Sequence, residues 1–439
     1  MRPSEARARR ISQRPRWLVT TAAVGVALLA VAACSSSGGS SAKGTTGSSS
    51  DASNGSTSGS APGVTSKSIN IGVVTDKTGA TANQGTAFDA AFDAVVASIN
   101  ASGGIYGRKI NLITEDDQST PAGNLSATQS VVQARGAFAV VQLSGVAQAS
   151  AAYLSQAGVP TFSPGLQALD KAYSNLFTSN GGTDNNPKHQ TDALGTAFKF
   201  LGANRVGGLT FACAPCAVGV NQGIGSATAA GLQTGYKNLT VPVGVTDWTP
   251  YVDKIKSSGT NGDWSILQLA DNLGYYSALD QAGIKMVKVS VDLFGNQYLK
   301  GATLAPMQGV YVEAWYEPAQ ISTPATKAEA TILKTYGHQS QLPDWNATNG
   351  YEVGELLKTA LTTAGPNPTR AGLISKLRAV SNWTGAGLAA VPVSFSKQLT
   401  NPTQPGYGPG NCVWLLKVVG NQFQPVRSTP FCGPTTTTG

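Results

Sequence analysis

Three groups of residues in this chain have types and spacings that could do chemistry. Glu115-Asp116-Asp117 is a run of carboxylates, the raw material of acid–base catalysis. Catalytic carboxylates of a glycosidase must face each other across a substrate, which adjacent residues do not. We read the run as a strand-end turn that caps the next helix. Ser144 offers a hydroxyl, but it lacks a Gly-x-Ser-x-Gly elbow, and His189 and His338 are the only candidate bases. Two histidines and few free cysteines also argue against zinc. The stretch Gly219-Val220-Asn221-Gln222-Gly223-Ile224-Gly225 does not fit a dinucleotide fingerprint. No catalytic residue, metal or cofactor is expected, and the chain is not read as an enzyme.

The third group, Cys213-Ala214-Pro215-Cys216, is a genuine rival. A Cys-x-Pro-Cys between a strand and a helix has the form of a thiol–disulfide redox motif. No thioredoxin-like unit with its own cis-Pro loop surrounds it, so we read a local disulfide bracing a loop. A thiol–disulfide oxidoreductase using Cys213 and Cys216 stays as the alternative. With Cys412 and Cys432 the count is even, as an oxidising compartment favours. Three pairings are possible, and sequence proximity favours Cys213–Cys216 with Cys412–Cys432.

Charge and low-complexity segments say where these residues work. The 439 residues carry a formal charge of +8, but residues 1–33 hold six Arg against one Glu. The rest has 25 basic and 22 acidic residues, too small an excess to suggest nucleic acid. Residues 1–33 combine a basic stretch with a short apolar run ending in small residues, the grammar of an export signal. Val31-Ala32-Ala33-Cys34 resembles a bacterial lipobox, which implies cleavage before Cys34 and a lipid on its thiol. Residues 34–67 are a Ser/Gly-rich flexible tether with an end-to-end distance of about 30 Å. Residues 434–439 read as a second flexible tail.

Between these segments, strands alternate with helices, which predicts parallel sheets covered on both faces. Strands are expected at 69–74, 109–113, 137–141 and 159–162. The helix after the first carries Phe88, Phe92, Val95 and Ile99 on one face. Two more helices cover 121–134 and 147–156. A second α/β unit follows, with strands at 205–211, 239–243, 265–269, 288–291 and 309–312. Its helices are expected at 190–201, 224–234, 250–257 and 273–282. Helices at 324–338, 346–364 and 369–380 precede strands at 391–395, 412–419 and 422–426.

Several motifs then carry a family resemblance. They are Ile69-Asn70-Ile71-Gly72-Val73-Val74 with Thr78-Gly79, and Asn100-Ala101-Ser102-Gly103-Gly104-Ile105-Tyr106-Gly107-Arg108. Asp116-Asp117-Gln118-Ser119, Ala157-Gly158-Val159-Pro160 and Gln281-Ala282-Gly283-Ile284 add to them. Together they resemble the type I periplasmic binding proteins, in the leucine/isoleucine/valine-binding branch of ABC-importer receptors. The resemblance implies an α/β fold of two Rossmann-like lobes with parallel sheets and a three-segment hinge. Lobe 1 would span 68–185 plus 312–380, and lobe 2 would span 186–311 plus 381–433.

Residue by residue, the resemblance implies a ligand site. Gln84 stands where amino-acid binders often have an aromatic residue. Ser144 and Gly145 open the helix after the third strand, where free N–H groups would hold a carboxylate. Gly165 and Gln167 follow the fourth strand. In the second lobe Val218-Gly219 replaces an expected Tyr-Gly, and Gln268, with Asp271 nearby, replaces a Tyr. Asp292, nine positions after Gly283, matches an acidic position that pairs with a ligand ammonium. The implied function is a monomeric, exported lipoprotein that binds a small polar solute, amino-acid-like or an amide, for an ABC permease. A sensor using the same cleft without transport is a further alternative. The lipobox reading has a direct check: Cys34→Ala should move the chain from the membrane fraction into the soluble one.

Overall fold

Ser68–Thr75 forms β1 because its apolar residues alternate at the strand period. Ile69, Ile71 and Val73 enter one core and Val74 another, so both faces are buried. Helix α1 (Ala82–Ala101) follows and buries Phe88, Phe92, Val95 and Ile99 against the same core as Ile71. Then come β2 (Lys109–Asp116), α2 (Pro121–Gln129), β3 (Ala139–Leu143), α3 (Ala151–Gln156), β4 (Thr161–Ser163) and β5 (Leu176–Thr178). The five strands are all parallel, in the order β2-β1-β3-β4-β5. This computed structural model describes residues 61–79, 82–165, 173–179, 189–397 and 412–437. The leader, Cys34, residues 35–60 of the expected tether and Gln167 lie outside them. Residues 61–67, also expected in the tether, instead pack on the first unit, where Val64 is buried and bridges Ile69.

The pattern then repeats on a second sheet. Strand β6 (His189–Thr191) and helix α4 (Ala193–Phe200) lead into β7 (Arg205–Phe211), α5 (Ala214–Ala229), β8 (Gln233–Val241) and α6 (Thr249–Ser258). Next are β9 (Gly262–Trp264), α7 (Leu269–Gln281), β10 (Val287–Ser290), α8 (Leu304–Met307) and β11 (Tyr311–Ala314). Their order, β8-β7-β9-β10-β11, has the same connectivity as the first sheet. Each sheet reverses direction beside its first strand, and ligands of open α/β sheets gather outside such a switch point.

Three helices return to the first unit: α9 (Pro324–Gly337), α10 (Trp345–Ala364) and α11 (Arg370–Arg378). Thr323 and Thr326 form a capping box on α9, and Asp344 and Thr369 cap α10 and α11. Helix α10 is buried on nearly every side. It presses on α1 through Gly350 and Gly354, which face Phe88 and Val95. The chain ends in β12 (Cys412–Val419), β13 (Gln422–Pro425), β14 (Phe431–Cys432) and β15 (Thr435–Thr437). Strand β12 adds antiparallel to β11, and β13 and β14 pair with β12. The chain thus passes between the units three times: between β5 and β6, through 315–323, and between Lys397 and β12.

Several expectations shift. Residues 312–314 lie in β11, hydrogen-bonded in the second sheet, so the return to the first unit comes after Ala314. Residues 381–397 pack on the first unit: Phe395 meets Phe177 edge-on, and Arg378 donates to the Phe395 carbonyl at 2.8 Å. The strand expected at 391–395 reduces to one bridge, Trp383 to Val393, because Pro392 has no N–H to donate. Helix α5 starts ten residues before the expected 224, since Cys213 caps it and Pro215 sits in its first turn. The tail at 435–437 pairs with β6 as β15, carried there by β14.

The α1–α10 contact generates a prediction. A Cβ at Gly350 would stand 2.4 Å from the Phe88 carbonyl oxygen, which is backbone and cannot swing aside. Gly350→Ala should therefore cost about 1–3 kcal/mol in urea unfolding, as overpacking does. Gly354→Ala meets the Val95 side chain and should cost less.

Candidate functional site

The carboxyl ends of the first sheet gather acids. Asp76 follows β1 and accepts from the Gly145 N–H at 3.1 Å. Asp117 is fully buried and accepts from the Ser119 N–H and the Asn124 amide. Burial pushes its carboxyl above the usual range, and Asp76 beside it adds to this against opposing bonds from Ser144 and Asn124. Asp116 works differently. It receives the Lys77, Thr78 and Gln118 N–H groups and the Thr78 hydroxyl, tying the β1 loop to β2. Burial raises its carboxyl slightly, but those four bonds outweigh it and hold it below its ordinary value. The helix cap expected of these acids is supplied by Thr120, whose hydroxyl accepts from the Gly123 N–H. In the first turns of α1, burial pushes Asp89 up to about 6, with the Thr75 hydroxyl opposing.

The second sheet also ends in acids. Asp292 follows β10, and among the described residues its carboxylate has no hydrogen-bond or ion-pair partner. Water reaches it, so the side chain is exposed, yet protein encloses it on several sides. That enclosure pushes its carboxyl up to about 6. Glu313 in β11 is only 5% exposed. Burial pushes it up to about 7, the Trp315 indole opposes this at 2.7 Å, and the charge of Asp292 adds to it.

An aromatic bridge joins the two units beside these acids. Trp345, at the start of α10, meets Trp315 edge-on at 6.0 Å and Phe88 of α1 at 5.9 Å. Its backbone N–H donates to the Phe294 carbonyl, two residues beyond Asp292. The Asn296 N–H donates to Asp344 at 3.1 Å. Trp315 and Trp345 are each half-buried. The arrangement sets carboxylates beside aromatic rings, with no ion pair to Asp292 or Glu313 among the described residues, which suits a polar solute with a cationic or N–H-rich end.

The residues expected in the site fall in different places. Gln84 lies in the first turn of α1 with its side chain outside the described residues. Ser144 is buried, and its hydroxyl accepts from the Val146 N–H. The segment after it is a short 3-10 turn rather than a helix start, and the Gly145 amide is engaged by Asp76. Gly165 is buried after β4 at φ +81, its N–H on the Ser163 hydroxyl. Gln268 is exposed at the cap of α7. Asp271 is spent on structure, accepting the Gly244 and Val245 N–H groups at 3.0 and 2.9 Å. Val218 and Gly219 lie inside α5, where the Gly219 carbonyl accepts the Trp264 indole N–H. Cys213 is bonded to Cys216 and Cys412 to Cys432. Sequence reasoning missed Asp89, Glu313, Trp315 and Trp345. The available signal was Glu313, a lone acid in the apolar run Val310-Tyr311-Val312-Glu313-Ala314-Trp315.

Comparison with known proteins places this geometry. Residues 68–421 match the family described as periplasmic binding protein. No curated protein matches the sequence. The chain is similar to a fatty acid ABC transporter substrate-binding protein from Thermomonospora curvata, at 18% identity and TM-score 0.67 over 85% of this chain and 95% of that one. It is similar to the branched-chain amino acid transporter substrate binding protein LivJ from Streptococcus pneumoniae in complex with isoleucine, at 20% identity and TM-score 0.66 over 82% and 99%. It is also similar to a solute binding protein from R. palustris in complex with benzoate, at 18% identity and TM-score 0.65 over 84% and 98%. At such identities the likeness is one of fold. Among the described residues no helix is long and apolar enough to cross a membrane.

Glu313 generates a pH prediction. Below about pH 4.5 a glutamic acid is neutral in folded and unfolded chains alike. As pH rises the unfolded chain ionises first, so stability falls up to the folded value near 7. Between pH 5 and 8, Glu313→Gln should lose less stability than the wild type, by on the order of 2 kcal/mol, in melting or urea curves.

Proposed function

The chain belongs to the periplasmic binding protein family, a family of ABC-transporter solute receptors, and we propose that it binds a small polar solute with an amine or amide group. The observation that carries this is Asp292, an accessible carboxylate without a partner among the described residues, within electrostatic reach of Glu313, which in turn bonds the Trp315 indole of the Trp315–Trp345 pair. A strand-end carboxylate in a closing recess holds an ammonium or amide N–H by charge-assisted hydrogen bonds. The Gly145 amide is engaged by Asp76, so a ligand carboxylate would have to displace that acid. The amine or amide end therefore contributes most to recognition. Closure of the two lobes completes the site, as in other hinge-closing receptors of this class.

The receptor is exported, held to the outer membrane face by lipid on Cys34, and hands its solute to a permease as a monomer. It is not an enzyme and takes no cofactor. The extracytoplasmic character of the family supports the export signal.

Native mass spectrometry of protein purified without refolding would identify a retained solute. Calorimetry with that solute then tests Asp292→Asn. Leaving one member of a desolvated pair unpartnered costs about 2–5 kcal/mol, roughly thirty-fold to several-thousand-fold in affinity. Unchanged affinity would remove Asp292 from the site and point to a ligand without an amine.

A further inference from the structure

A second group of polar side chains has no part in solute binding. Tyr316 opens the crossover that follows β11, Glu329 lies in α9, and Thr348, Asn349 and Glu352 lie in α10. Each is at most 1% exposed. Thr348 and Glu352 are four residues apart and share a helix face, with Asn349 beside them. The Thr348 hydroxyl faces both the Tyr316 hydroxyl and the Glu329 carboxyl. Glu352 lies within electrostatic reach of Glu329.

The described residues satisfy these groups only in part: the Asn349 amide N–H donates to the Trp345 carbonyl, but several oxygens go unmet. Tyr316 Oη, Glu329 Oε1 and Oε2, Thr348 Oγ1, Asn349 Oδ1 and Glu352 Oε2 are buried without a hydrogen-bond partner. All six are oxygens; the two hydroxyls carry a proton to donate, and burial pushes both glutamates toward the protonated form as well. Neither glutamate is in an ion pair among the described residues. Asp344, the remaining acid nearby, is already engaged by the Asn296 and Ala347 N–H groups. Buried polar atoms without partners are uncommon and usually mark a missing water or ion.

The donor set discriminates among occupants. Among the described residues no three His, Cys, Asp or Glu side chains converge, which disfavours a zinc-type centre. Two carboxylates with hydroxyl and amide oxygens instead suit a hard cation, since calcium accepts six to eight oxygens in flexible geometry. The two carboxylates together match a divalent charge. Gly385, in the segment after α11, closes over the group, and a Cβ there would stand 2.8 Å from Glu352 Oε1.

We infer that Tyr316, Glu329, Thr348, Asn349 and Glu352 form a binding site for a hard divalent cation of the calcium type, where the second crossover enters the first lobe. The cation joins a crossover residue to two helices of one lobe, so it stiffens the base of the hinge. The site is independent of which solute the cleft binds.

Calcium itself is the probe. The intact chain is melted in EGTA and in about 5 mM CaCl2, above the 10⁻⁴–10⁻³ M range of extracellular calcium modules, with MgCl2 as the ionic control. The wild type should melt a few degrees higher in calcium. Terbium should show emission sensitised by Tyr316 that calcium displaces. Glu352→Gln and Thr348→Val keep the side-chain volumes and should melt cooperatively in EGTA while losing both responses. Absence of both responses in the wild type, read without any variant, overturns the site in favour of buried water and a shared proton. Responses that survive both substitutions overturn it equally.

Discussion

The packing of α10 against α1 is the contact on which the rest depends. A helix buried on nearly every side has no polar face to spare, and it approaches α1 closely only because Gly350 and Gly354 stand at the contact. That closeness fixes the position of its first turn. Asp344 can then take the Asn296 N–H while the Trp345 backbone N–H reaches the Phe294 carbonyl. One helix terminus thereby binds the loop after β10 in the second unit, and helix caps of this kind are worth about 1 kcal/mol. The aromatic bridge from Phe88 to Trp345 to Trp315 follows from that placement.

Uncompensated acidity is the second theme. Both sheets end in carboxylates, and burial raises Asp117, Asp292 and Glu313 above their ordinary values. Burying charge without a partner is costly, so such groups are seldom kept for stability alone. The acids of the first sheet spend their oxygens on backbone N–H groups and amides, which organises the β1 loop. Asp271 does the same for the loop after β8. Asp292 is the exception, accessible and unspent, and that contrast separates a scaffold acid from one free to meet a solute.

The twofold use of one strand order explains why the acids appear twice. A β2-β1-β3-type switch opens a crevice at the carboxyl edge of each sheet, and the loops there are released from sheet hydrogen bonding. The second sheet adds antiparallel β12 and β13 beside β11 and closes with the Cys412–Cys432 bond.

Much of the fold was written locally. Period-2 apolar alternation in β1, the buried face of α1 and the threonine caps of α2, α9 and α11 are short-range signals, so their elements lie within a few residues of expectation. Expectation slipped where a neighbour in space decides. Strand β8 is a polar sheet edge with little burial of its own, and Val391–Phe395 had a strand's composition but a proline against its only partner. The site divides in the same way. A carboxylate after β10 is visible in the chain, because strand ends and Gly283 mark it. Whether an acid is spent or unspent depends on N–H groups tens of residues away, as Gly145 for Asp76 and Gly244 for Asp271 illustrate. Trp345 and Trp315 come from separate segments, and only the close approach of α10 to α1 brings them together, because packing of two helix faces is a property of three dimensions.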